Sequence, residues 1–426
     1  MKTVLIVLLL LLAGCNTVDD PAELRAMIAD ENTGNIQVGV TFSFSSSGIL
    51  FREGIEMARD ELNAKGGIKT KTSKRILELF FKDDHRSIND GRRVAQEFAE
   101  GQISPQQRDE NAEVLVDPET VNIVAVIGNL SSFISIPVST IYNYYGILML
   151  SPGATSPKFT KQGYNLVFRN IVQDREIGKQ MADFAKEQGC KRIMVASSRS
   201  SYGRGLANEF EKRAQLIGLD IVDRRSFEST GERINFRNEL NLWKYRDFDA
   251  VFLAGAHPEV TILTKQMREI GLEQPVFGGD GLDVSNFLTV GGLDVIGSVA
   301  PAPFHYKLGL VEDGPEKTKK FVASFKERYG KFPDTWAAQG YDATMLLAAA
   351  IEKADSSNPK LIAKALRSME WLGVTGLHKF DKNGDVDKPL IKKIARYDPV
   401  SQQVKYEIFK EGDQWLGSRD IIPLPE

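Results

Sequence analysis

Short apolar runs that alternate with longer helical patterns set the limits on what this chain can fold into. The runs lie at 36–42, 76–81, 123–127, 147–150, 192–196, 221–227, 250–254 and 276–278. Most of them are nearly continuous in apolar residues. A strand apolar on both faces needs cover on both faces, and intervening helices supply it to a parallel sheet. The helices are legible too. Ile55, Ala58 and Leu62 fall on one face of a helix that stops at Gly66-Gly67. The spacing predicts a second helix over 137–145, with Pro137 in its first turn. A third is predicted over 205–216, with Leu206, Phe210 and Ala214 inward. The expected fold class is α/β, two doubly wound parallel-sheet lobes.

The pattern restarts near residue 172. After about residue 302 come two helical stretches (315–329 and 336–354), then two strands (391–397 and 404–409). The simplest account has the chain returning to the first lobe after building most of the second. Residues 36–171 plus 303–389 then form lobe 1, and 172–302 plus 390–426 form lobe 2. Ligands in open α/β sheets bind outside the carboxyl ends of the strands. Two such lobes therefore face each other across a cleft that closes by a hinge motion. A polar, Gln-rich segment at 101–118 departs from the alternation and reads as a surface insertion with a short helix at 112–116.

The first residues stand apart from this fold. One Lys, an apolar run over 4–12 and Ala13-Gly14-Cys15 match a secretory signal over residues 1–14. The run is too short to span a bilayer, which takes roughly 20 apolar residues. Leu12-Ala13-Gly14-Cys15 resembles the lipobox of bacterial lipoproteins, which implies lipidation of Cys15 and an extracytoplasmic, lipid-anchored protein. The acidic, polar stretch 15–35 reads as a tether with room for a short helix at 22–29. Of the 2 Cys, Cys190 is then the only free thiol, so no intrachain disulfide forms.

Several function classes are excluded by what the chain lacks. A formal net charge of -3 argues against a nucleic-acid binder. No phosphate-binding loop, zinc-protease helix or serine-hydrolase elbow occurs. Gly203-Arg204-Gly205 begins like a dinucleotide loop, but Asn208 stands at the third glycine position. Asp381-Lys382-Asn383-Gly384-Asp385 lacks the spacing of a calcium loop and reads as a polar turn. No cofactor, no metal and no enzymatic activity are expected.

Four segments at strand ends carry groups suited to a small zwitterion. Gly128-Asn129-Leu130-Ser131-Ser132 offers hydroxyls and free N–H groups at a helix start, which favour a carboxylate or simply cap the helix. Ser151-Pro152-Gly153-Ala154-Thr155 adds a hydroxyl and a backbone open to close approach. Ser201-Tyr202-Gly203 places a tyrosine at a strand-to-helix turn. Gly278-Gly279-Asp280-Gly281 places a carboxylate among glycines. Donors for a carboxylate thus fall in one lobe and an acid for an ammonium in the other.

The first three of these segments, together with 51–67 (with Asn63-Ala64-Lys65-Gly66-Gly67), the run from Gly146 to Thr155 and Pro258-Glu259, resemble the leucine/isoleucine/valine-binding proteins. The resemblance covers nearly all of the chain after the tether. It implies the type I periplasmic-binding fold, two lobes joined by three hinge crossovers, and a monomer that closes over an amino acid and delivers it to an ABC permease. By position, Ser132 and Thr155 would bind the α-carboxylate. The Gly153 carbonyl and the Thr155 hydroxyl would help hold the ammonium, with Asp280 where the family has an acid, usually Glu. Tyr202 would close over the ligand. Ser47 and His257 stand where branched-chain binders often have tyrosine, which makes the pocket more polar and extends the expected ligands to polar analogues and related small carboxylates. The alternative is a sensor or assembly factor of the same fold that signals to a partner protein.

Overall fold

The computed structural model describes residues 20–45, 48–70, 73–101, 122–228, 235–413 and 415. All of the expected insertion at 101–118 but Gly101, and Ser47 and Cys15, lie outside these residues.

Five strands form the first sheet: β1 (Ile36–Phe42), β2 (Leu77–Asp83), β3 (Ala125–Gly128), β4 (Leu148–Ser151) and β5 (Val167–Arg169). Their order is β2-β1-β3-β4-β5 and every pairing is parallel. The covering helices are α1 (Pro21–Glu31), α2 (Ile49–Ala64), α3 (Ile88–Ala99) and α4 (Ser132–Tyr144). β1, β3, β4 and β5 are buried along their whole length, Gln37, Thr41 and Arg169 included.

The second sheet begins after α5 (Asp174–Glu187). It takes in β6 (Arg192–Ser198), α6 (Ser201–Ile217), β7 (Asp220–Phe227), β8 (Ala250–Ala254), α7 (Glu259–Glu269), β9 (Val276–Gly278) and β10 (Val299–Ala302). The chain then returns to the first lobe for α8 (Glu316–Tyr329), α9 (Thr335–Ala354) and α10 (Pro359–Ser368). It crosses back a last time for β11 (Ile391–Asp398) and β12 (Gln403–Ile408). The chain therefore passes between the sheets three times. The sheet order is β12-β11-β10-β9-β8-β6-β7.

Three details differ from the sequence expectation. The second sheet is mixed and not wholly parallel, because β11 runs antiparallel to β10 and β12 antiparallel to β11. The last two strands arrive as a hairpin without a crossover helix, and only antiparallel pairing allows that. The helix expected to open at Pro137 starts at Ser132, with Ser131 in extended N-cap geometry and the Ser135 amide bonded to the Ser131 carbonyl at 2.9 Å. Pro137 is therefore inside the helix. Finally, part of the stretch read as a tether is folded onto lobe 1. Arg25, Ala26 and Ala29 form the buried face of α1. The Arg25 guanidinium donates to the carbonyls of Tyr145 (2.7 Å), Ile123 (2.8 Å) and Ala99 (2.5 Å) and to Asn122 Oδ1 (2.9 Å). An acidic overall composition hid this single apolar-plus-arginine face.

Candidate functional site

The candidate loops follow strands of both sheets, and the two of lobe 1 are stitched together. After β3, Ser131 makes no side-chain capping bond and Ser132 is the first residue of α4. The first amides of a helix lack intrahelical partners and carry the positive end of its dipole, so they suit a carboxylate. Ser132 is buried, and its Oγ accepts from the Ser156 amide at 3.2 Å. After β4, Ser151 Oγ donates to the Asn129 carbonyl at 2.7 Å and accepts from the Ala154 amide at 2.9 Å. The two loops of lobe 1 are thus held at a fixed spacing.

Gly153 sits where they meet. A Cβ added there would lie 2.6 Å from the Leu130 carbonyl oxygen, closer than any real contact, and backbone cannot step aside as a side chain can. Gly153→Val should therefore separate the loops, lowering stability by about 1–3 kcal/mol and abolishing ligand binding. A melt and a calorimetric titration of the same sample check both, and wild-type affinity in the variant would mean that the loop spacing is not part of the site.

Thr155 is wholly buried, and its hydroxyl makes no hydrogen bond. Its carbonyl accepts from the Asp174 amide at 2.9 Å. This contact brings in a residue that the sequence reading passed over. Asp174, the first residue of α5, is fully buried, and neither carboxyl oxygen has a hydrogen-bond partner. Burial first, and the neighbouring Asp280 charge second, push its carboxyl well above the usual range, against the opposing pull of the Thr155 hydroxyl, which faces it without reaching hydrogen-bond distance, and of the Arg169 guanidinium. Buried polar atoms are nearly always paired, so two bare carboxyl oxygens beside a bare hydroxyl mark a place made for something else.

Lobe 2 supplies the rest. Tyr202 Oη donates to Asp280 Oδ1 at 2.8 Å and accepts from the Gly281 amide at 3.0 Å. Asp280 is nearly buried, and burial pushes its carboxyl up to about 6 although the Tyr202 hydroxyl favours the charged form. Two acids, Asp174 and Asp280, thus share one low-dielectric space next to Thr155 and Tyr202. Like charges held together in this way are relieved by a cation.

His257 stands apart from that cluster. Its Nδ1 pairs with Thr261 Oγ1 at 2.9 Å in its own segment, and its carbonyl accepts from Arg86 of lobe 1 at 3.5 Å. Burial, and then the Arg86 charge, lower the imidazole below its ordinary value, so it is neutral near pH 7. Among the described residues no hydrogen bond joins it to Ser132 or Asp280. Nor do three or more His, Cys, Asp or Glu gather among them as a metal site.

Comparison with known proteins agrees with this fold. Residues 38–391 match the family described as periplasmic binding protein. The leucine-, isoleucine-, valine-, threonine- and alanine-binding protein of Pseudomonas aeruginosa is 30% identical over 292 residues, 67% of this chain and 76% of that protein. Among solved structures, an ABC transporter substrate-binding protein from Desulfitobacterium hafniense in complex with Leu is 34% identical, with a TM-score of 0.71, over 88% of this chain and all of that one. A leucine-binding protein from Thermotoga maritima is 26% identical, with a TM-score of 0.73, over 88% of this chain and 99% of that one. The chain belongs to the periplasmic binding proteins of the leucine/isoleucine/valine-binding type, extracytoplasmic solute receptors and not enzymes.

Proposed function

We propose that the cleft binds a free α-amino acid, carboxylate toward lobe 1 and ammonium toward lobe 2, and that closure over it presents the solute to an ABC permease. The observation that carries this reading is the pair of buried acids, Asp174 and Asp280, beside the unpartnered Thr155 hydroxyl and the helix start at Ser132. The α-carboxylate binds the first amides of α4 and the hydroxyls of Ser132 and Thr155. The ammonium lies between the two acids, with the Gly153 carbonyl as a further acceptor and the Tyr202 ring as cover. Ser47 and His257 belong to the side-chain end of the pocket, where a neutral imidazole replaces an apolar wall and widens the range from branched-chain to more polar amino acids. Contacts made to both lobes at once favour the closed state. The protein works as a monomer outside the cytoplasm, held to the membrane through lipidated Cys15.

Calorimetry against the twenty amino acids tests this. At least one should bind at pH 7 with micromolar or better affinity. Because ammonium recognition needs the ionised form of Asp280, whose pKa is about 6, the same titration at pH 5 should be about tenfold weaker. No binding by any amino acid at pH 7 would overturn the reading.

A further inference from the structure

A groove of about 980 Å³ runs along lobe 1 between the start of α1, the end of α4 and the outer side of α10. Lys360, Lys364 and Arg367 line it at i, i+4 and i+7 spacing and so share one side of α10. Asn143 and Tyr144 line the other wall, with Tyr144 61% exposed. Lys360 pairs with Glu23 of α1, and the Arg367 guanidinium lies 4.6 Å from the Phe168 ring centre. Tyr144 immediately precedes the turn into β4, and Leu166, also in the lining, immediately precedes β5. The groove therefore lies at the amino ends of the strands whose carboxyl ends carry the ligand loops.

We infer that this side of lobe 1 rests on the anionic phospholipid headgroups of the membrane that holds the Cys15 anchor. The inference builds on the lipid-anchor reading. Asp20 and Pro21, which line the same groove, are where the described residues begin, and Arg25 fixes α1 to the lobe. Only five residue steps separate Asp20 from Cys15. Fully extended, they reach about 18 Å, whereas a tether as long as 15–35 would reach about 70 Å. A lipid at Cys15 thus keeps this end of lobe 1 close to the headgroups. Lys364 and Arg367, the two cations of the row that Glu23 does not neutralise, meet their phosphates there.

The test couples the mature chain, through Cys15, to a maleimide-headed lipid in vesicles. Cys190 stays unmodified because it is buried and its thiol is pushed up to about 12. On phosphatidylglycerol-containing vesicles, acetylation of exposed Lys364 should slow about fivefold relative to uncoupled protein, while Lys244 of lobe 2 reacts at an unchanged rate. Arg367→Glu should restore much of the Lys364 rate. Equal Lys364 rates with and without coupling would overturn the inference. So would protection that is just as strong on phosphatidylcholine vesicles and indifferent to Arg367→Glu, since that is crowding alone. Palmitate labelling in cells, lost in Cys15→Ser, tests the anchor separately: absence of label removes the anchor and the membrane setting together, whereas label with an unprotected Lys364 removes only the docking.

Discussion

Asp280→Asn should weaken amino-acid binding by roughly a hundredfold or more while leaving the empty protein as stable as the wild type, or more so. The expected loss follows from removing one partner of a buried charge-assisted contact, which costs about 2–5 kcal/mol of binding, and each 1.4 kcal/mol is about tenfold. The stability side has the opposite sign. In the empty protein Asp280 and Asp174 repel across a buried space, and both carboxyls are raised above their ordinary values by burial first. A raised carboxyl means that the folded state holds its proton more tightly than the unfolded state. Stability of the empty protein therefore falls as pH rises from about 4 to about 6, by about 3 kcal/mol for Asp280, and ionising it is a cost that Asn does not carry. Asn keeps the acceptor for Tyr202 Oη, whose present partner is Asp280 Oδ1. Melting curves without ligand and titrations with it separate the two roles. A variant that melts lower and binds as tightly as wild type would make Asp280 a structural residue.

The legible parts of this fold were those in which local pattern and burial coincide. β1, β8 and β9 have the limits that their apolar runs suggested, because a strand covered on both faces writes its length into the sequence. β10 reads Val-Ala-Pro-Ala and β5 has three residues, too short and too proline-marked to register as strands. Pro137 misplaced the start of α4 because proline usually marks a first turn, and here the serines before it make the start. Ser132, Gly153, Thr155, Tyr202 and Asp280 were legible as hydroxyls, glycine, tyrosine and acid at strand ends. The structure gathers Thr155, Tyr202 and Asp280 around Asp174, with Ser132 and Gly153 in the adjoining loops. Asp174 itself was not legible. An acid at the first position of a helix ordinarily serves the helix dipole, and only its burial shows that it faces an acid 106 positions later in the chain. The partner of Arg169 lies 216 positions away, beyond any local signal.

That pair supplies the second large effect. Arg169 is wholly buried, and its guanidinium donates to Asp385 Oδ1 (2.6 Å), the carbonyls of Ala154 (2.6 Å) and Ser156 (2.9 Å), and Thr160 Oγ1 (2.8 Å). The two carbonyls flank Thr155, so the arginine clamps the loop that carries Thr155 from behind. Asp385 also accepts from Thr160 Oγ1 at 2.8 Å and from Gln173 at 3.3 Å, and Gln173 lies where the chain first leaves lobe 1. Arg169→Ala leaves a buried carboxylate uncompensated and should lower stability by about 3–5 kcal/mol. The double variant Arg169→Met/Asp385→Leu removes both charges at similar volume and should recover most of that loss. It does not recover the hydrogen bonds to Ala154 and Ser156, so the Thr155 loop stays unclamped. Amino-acid affinity in the double variant should remain at least about tenfold below wild type, the loss of one or two hydrogen bonds made by a charged group. Stability comes from removing an unpaired charge, whereas affinity comes from holding Thr155 in place, and the double variant pulls the two apart. Chemical denaturation and calorimetry on the three variants measure both quantities. Wild-type affinity in a restabilised double variant would show that the guanidinium only neutralises Asp385 and does not position the ligand loop.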